Sequence, residues 1–168
     1  MGLARLFSNL YSVKRSADEQ LSEAIRLWNR RDAAGAIKWG RRAAKHLPIA
    51  KVALAQWLVQ GKRNVNVDRE ALDLLMEAAG AGSMEAQQVL AAWYLDGNVV
   101  PVDLRKAFEW TKRAADAGSV SCQIAMVRFL TSGEYGERDA AAAMHYAELA
   151  AAAGHSEVLA ALVQELRS

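Results

Sequence analysis

The stretch from Tyr94 to Gly118, YLDGNVVPVDLRKAFEWTKRAADAG, decides the fold. It holds no evident nucleophile and no metal-ligand set, yet its small and aromatic residues stand in a strict order. Shifted by 36 residues, that order recurs. Gly61, Gly97 and Gly133 form one column, and Ala71, Ala107 and Ala143 another. The pairs Ala78-Ala79, Ala114-Ala115 and Ala150-Ala151 form a third, followed in step by Gly82, Gly118 and Gly154. An earlier copy holds Ala36, Trp39 and Ala43-Ala44, displaced by one because the turn KHLPIA is a residue shorter than GAGSMEA. A fixed period of about 20–50 residues marks stacked supersecondary units.

Each copy reads as two helices. In the third, Asp103 is an N-cap whose carboxylate accepts orphan backbone N–H groups. Ala107, Trp110, Ala114 and Ala115 then fall on a single helical face, and Gly118 ends the helix. A second helix is predicted from about Ser121 to Thr131, with Cys122, Met126, Phe129 and Leu130 inward and Gly133 closing it. Turns within the copies are expected near 46–49, 82–85, 118–121 and 154–156. Loops between copies are expected near 61–67, 97–102 and 133–138.

Gly97-x-Val99, Asp103, Lys106-Ala107-x-x-Trp110 and Ala114-Ala115-x-x-Gly118 together resemble the Sel-one-like repeat, the longer cousin of the tetratricopeptide repeat. The segment AAAGHSEV at 151–158 matches that family's turn between its helices A and B, which makes His155 a turn residue. The second copy departs in having Leu74 in the Trp column and Asp68 one residue out of column; the first has Leu47 in the column of Gly118. The resemblance implies an all-α, right-handed α-solenoid of about four helix-turn-helix repeats. Its copies would run about 32–67, 68–102, 103–138 and 139–168, preceded by capping helices in 1–31.

The ends of such an array need polar-faced caps. At the C-terminus, SEVLAALVQELRS reads as a last helix B with Gln164, Glu165 and Arg167 outward. Upstream, a helix is expected from about Ala17 to Asn29, capped by Ser16. In residues 1–14, Leu3, Leu6, Phe7, Leu10 and Tyr11 form an apolar stripe. Three roles stay open for it: covering the first unit, docking on a partner, or lying on an anionic membrane surface.

Composition excludes several classes. Apolar residues make up 52% of the 168, but no run approaches the roughly 18 needed to cross a bilayer. No secretory leader is legible, and a single cysteine cannot form an internal disulfide, so a reducing, cytoplasmic setting is expected. His46, His145 and His155 are scattered without metal spacing, and Cys122 shares the column of Ala50 and Ala86, where a small buried side chain fits. No catalytic, cofactor or metal site is therefore expected. Trp39 and Trp110 share a column with Tyr146, and Trp57 and Trp93 one with Phe129, so core packing is expected of both columns. Trp28, outside the repeats, is the Trp most open to a surface role.

Charge is split along the chain. Residues 1–67 carry 13 Lys/Arg against 4 Asp/Glu, while residues 68–168 carry 8 against 15. The basic run includes Arg30, Arg31, Lys38, Arg41, Arg42 and Lys45. It reads as a solvated face or as a site for an acidic protein partner. Nucleic acid ranks below both, since the pI of about 8.8 falls short of the usual basic footprint and no recognition motif accompanies the run.

The family resemblance implies a non-enzymatic protein-interaction scaffold or adaptor that presents its helix A surface. The positions between the stacking columns are the candidate partner-binding residues: Lys38, Arg41, Arg42, Asp73, Met76, Glu77, Glu109, Lys112 and Arg113. An antidote that blocks a toxin is the alternative within the binding class. Beyond that class stand a hydrolase on a helical scaffold and an anionic-surface binder acting through the basic half.

Overall fold

The computed structural model describes residues 15–61, 64–133, 135 and 138–165. The apolar stripe of residues 1–14, and Arg167, lie outside them. The described residues form nine helices: α1 (Ala17–Asn29), α2 (Ala33–Ala43), α3 (Pro48–Gln60), α4 (Val65–Gly80), α5 (Met84–Asp96), α6 (Leu104–Asp116), α7 (Val120–Ser132), α8 (Ala140–Ala152) and α9 (Ser156–Glu165). The 36-residue period is visible in the boundaries themselves. Helix α7 begins 36 residues after α5, and α8 begins 36 residues after α6.

The same local chemistry starts these helices copy after copy. Asp32, Asp103 and Asp139 each accept a backbone N–H three residues on, from Gly35, Lys106 and Ala142, at 2.9, 3.0 and 2.9 Å. Ser83 and Ser119 do the same for the helices that follow a turn, at 3.2 and 3.3 Å. Helix α1 carries a full capping box, Ser16 with Glu19, as the expected Ser16 cap requires. The ends are equally regular. Gly118 takes φ +98°, its N–H donates to Ala115 O, and Ser119 N–H reaches back to Ala114 O. This pair of bonds satisfies the last carbonyls of the helix, and it recurs at Gly82 and Gly154.

Two boundaries and one turn conformation differ from the repeat pattern. Helix α7 starts at Val120, a residue before the expected Ser121, with Ser119 as its cap. The loop expected at 61–67 is shorter, because Asn64 Oδ1 accepts the N–H groups of Asn66 (3.0 Å) and Val67 (3.1 Å) and starts α4 before Asp68. The turn between α2 and α3 contains no left-handed residue among its described positions; Leu47 is extended (φ −120°, ψ 119°) because Pro48 follows it.

The chain divides into two compact units, Met1–Leu74 and Leu75–Ser168, with the division inside α4. In the first unit α1 packs on α2 and α2 on α3. Ala24, Ala36 and Trp57 are buried there, with Leu21, Leu27, Trp28 and Trp39 packed around them. Gly40 makes the α2–α3 approach possible, since a Cβ on it would lie 3.1 Å from the Trp57 ring. In the second unit α5 to α9 pack in succession. Ala114, Ala115, Cys122, Met126, Phe129, Leu130, Ala143, Tyr146 and Leu162 form its core. Burying apolar surface at about 25 cal/mol per Å² is the main stabilisation of such pairs, and the alanine columns let helices approach closely enough to achieve it.

The aromatic columns resolve into two kinds. Trp57, Trp93 and Phe129 are buried, as expected. Trp39 and Trp110 are only half-buried, unlike Tyr146 in their column, and so are not the core residues the repeat suggested. Cationic side chains lie over both rings, as described below. Trp28 is half-buried too, and its ring stacks on Trp57 at 5.3 Å with 20° between planes.

Candidate interaction surface

All nine candidate residues are exposed. Lys38, Arg41, Arg42 and Asp73 lie in the first unit; Met76, Glu77, Glu109, Lys112 and Arg113 lie in the second. Each group is held by an N-capped helix whose opposite face is buried, so the side chains project from fixed backbone.

In the first unit, α2 carries the basic residues. The Arg41 guanidinium forms a fork on Glu70 of α4, Nε to Oε1 at 2.9 Å and Nη2 to Oε2 at 2.8 Å. That hydrogen bonding raises the Arg41 pKa above its ordinary value, and removes Arg41 from the freely available cations. Arg42 lies over the Trp39 indole, its guanidinium carbon 4.6 Å from the ring centroid, and Arg15 lies 4.9 Å from the same centroid. Arg15 has a carboxylate nearby in Glu23 at 3.8 Å. Among the described residues, none provides a carboxylate at ion-pair distance from Lys38, Arg42 or Lys45.

In the second unit, α6 presents cations that are mostly matched. Arg105 pairs with Glu109 at 3.7 Å, Lys106 with Asp103 at 3.1 Å, and Lys112 with Asp116 at 2.8 Å. Asp103 is held below the usual carboxylate range, first by the Lys106 backbone N–H and then by the Lys106 ammonium. Arg113 stands over Trp110 at 4.7 Å, repeating the Arg42–Trp39 geometry. The Tyr146 hydroxyl of α8 donates to Asp116 Oδ1 at 2.7 Å, tying α8 to α6. Burial and that hydrogen bond push the Tyr146 pKa up. Burial opposes ionisation of Asp116, but the hydrogen bonds from Lys112 and Tyr146 outweigh it and its pKa falls.

Sequence reasoning missed Glu70 and Asp116 as the partners of Arg41 and Lys112, and with them the Arg15–Trp39 and Tyr146–Asp116 contacts. Asp116 was findable, since it lies one helical turn after Lys112. The Arg41–Glu70 pair spans 29 positions and leaves no local signal. Cys122 is buried, as its column predicts, and His155 sits in its expected turn with Nδ1 at 3.1 Å from Glu157. Among the described residues no group of His, Cys, Asp and Glu is placed to hold a metal ion, and no helix is long and apolar enough to cross a membrane.

The Sel1 repeat pattern matches residues 29–46, 85–119 and 124–155, just over half of the chain. The chain belongs to the Sel1 (Sel-one-like) repeat family. Its all-α helix-turn-helix architecture is that of this family and of the α-solenoid class. Two similar solved structures agree. One is a protective antigen present in uropathogenic Escherichia coli strains that displays an SLR fold: TM-score 0.72, 21% identity, covering 89% of this chain and 34% of that one. The other is a Sel1 repeat protein from Oxalobacter formigenes: TM-score 0.71, 24% identity, covering 90% and 46%. This chain thus spans less than half the length of either relative. No curated protein matches it. Sel1 repeat proteins generally act as protein-interaction scaffolds.

Proposed function

We propose that this chain is a non-enzymatic adaptor of the cytoplasm that takes a protein partner on the exposed faces of its A helices. The A helices are α2, α4, α6 and α8, in line with copies at about 32–67, 68–102, 103–138 and 139–168. One observation carries the reading: each unit presents the same platform, a half-buried Trp with an Arg three residues on laid over it, at 4.6 Å in α2 and 4.7 Å in α6. Trp and Arg dominate the energetics of protein interfaces. Side chains already held in place lose little freedom on binding, which lowers the cost of association. Neither Arg contributes to the core.

Photo-crosslinking in the native cell tests this reading. Probes placed at Lys38, Glu109 or Lys112 should each trap the same protein, whereas probes at Ala92 or Arg128, exposed on B helices, should trap none of it. Crosslinks confined to the B-helix probes would overturn the assignment.

A further inference from the structure

The two Trp–Arg platforms differ in what surrounds them, and that difference defines the partner's chemistry at one of them. Between Asp32 and Asp68 the chain has no Asp or Glu at all, yet it has seven Lys and Arg. Glu70, just beyond this run, is taken by Arg41. Lys38 and Arg42 remain exposed one turn apart on α2, and Lys45 is exposed just beyond the end of the helix. Arg42 is held in position by the Trp39 indole, so its donors are presented rather than free to wander. At the equivalent place on α6, Arg113 is surrounded by the pairs of Glu109 and Asp116, and no unbalanced cation field develops.

We infer that the α2 face takes a short, extended, carboxylate-rich segment of a protein partner. This rests on the helix-A reading above and deepens it. At about 1.5 Å of rise per helical residue, Lys38 and Arg42 lie about 6 Å apart along the axis. Two residues of extended chain cover about the same distance and place their side chains on one side. Acids at alternate positions therefore match the two cations. A nucleic acid fits less well. Its interfaces neutralise about 6–10 phosphates, whereas α2 offers few free cations and α1 carries the anionic Asp18, Glu19 and Glu23 beside Arg15.

The test uses the full chain and a fluorescein-labelled peptide of alternating Glu and Ser, with a Gln-for-Glu peptide and a single-stranded oligothymidine as comparisons. The Glu peptide should bind and weaken steeply with salt, and the Gln peptide should bind at least about tenfold less well. Lys38→Glu with Arg42→Glu should weaken the Glu peptide by about tenfold or more, while Arg113→Glu leaves it unchanged. Lys45→Glu should give a smaller loss in the same direction. Tighter binding of oligothymidine than of the peptide would overturn the inference, as would indifference to the Lys38/Arg42 reversal or an equal loss on Arg113→Glu. A crosslinked partner whose capture depends on α2 and α6 but ignores the reversal would sink this inference and leave the adaptor reading standing.

Discussion

Helices α2 and α6 occupy the same place in their repeats and divide their labour differently. Inward, they agree: Ala36 and Ala107 are both fully buried, and both helices open on an Asp cap. Outward, they part. On α6 nearly every cation has a carboxylate one turn away, while α2 runs from Asp32 to its end without an acid. The period of 36 thus constrains only what packing and turn geometry constrain. Solvent-facing positions are released from it, and there the two units acquire separate chemistry. A repeat protein diversifies its surface at little cost to its stability for this reason.

The inward agreement is the sharpest place to break the comparison. Ala36→Trp and Ala107→Trp each force a large ring into a site with no solvent exposure. Each should destabilise the fold by about 3 kcal/mol, read as a lowered denaturation midpoint. Arg42→Ala and Arg113→Ala, at exposed outward positions of the same helices, should shift it by less than about 1 kcal/mol. If the tryptophan variants melted like the parent, the alanine columns would not be stacking positions and the period would have another cause.

How much of this could be read in advance follows from the same division. Packing positions recur, so Ala107, Ala114, Cys122 and Phe129 were legible as buried, and Asp103 and Ser16 as caps. Residues that answer to neighbours distant in sequence were not. Trp39 and Trp110 share a column with Tyr146 but are only half-buried, and the guanidiniums laid over them come from the exposed side of the helix, which the column does not encode. Arg41 looked like a free cation until Glu70 met it across 29 positions. The Asn64 cap is not legible from the repeat, because the cap column of the other copies falls at Val67 in this one and Asp68 lies inside the helix that Asn64 starts.

A smaller effect distinguishes the units through titration. Tyr146 and Asp116 link α8 to α6 in the second unit. Asp116 is lowered in the folded protein, so its contribution is present above the unfolded carboxylate pKa of about 3.9 and is lost as pH falls through the folded value. Tyr146 is raised, so its contribution is present below the unfolded phenol pKa of about 10 and is lost as pH rises beyond that. Tyr146→Phe removes the hydrogen bond and should cost about 1–2 kcal/mol near neutral pH. It should also flatten the loss of stability above pH of about 10, which melting temperatures across alkaline buffers would show. Unchanged alkaline behaviour in the variant would mean that the hydroxyl does not carry this coupling.

The smallest effect contrasts one turn chemistry in two residue types. Arg31 ends α1 with φ +64°, and the bonds around it, Arg31 N–H to Trp28 O and Asp32 N–H to Leu27 O, are those found at Gly118. The backbone motif is the same, but an L side chain stands in the left-handed region at one site and glycine at the other. Left-handed geometry costs a non-glycine residue about 1–2 kcal/mol. Glycine in its place brings a larger loss of freedom on folding, about 0.5–1 kcal/mol. Arg31→Gly should therefore stabilise the protein by roughly 0.5–1 kcal/mol. Gly118→Ala should destabilise it by a similar amount, and there the result is free of steric ambiguity, since a Cβ at Gly118 would meet nothing within 4 Å. Denaturation midpoints of the two variants should move in opposite directions. If Arg31→Gly instead weakens the fold, the Arg31 side chain makes a contribution larger than its backbone strain, and the first unit's departure from glycine at this turn is a stabilising choice of its own.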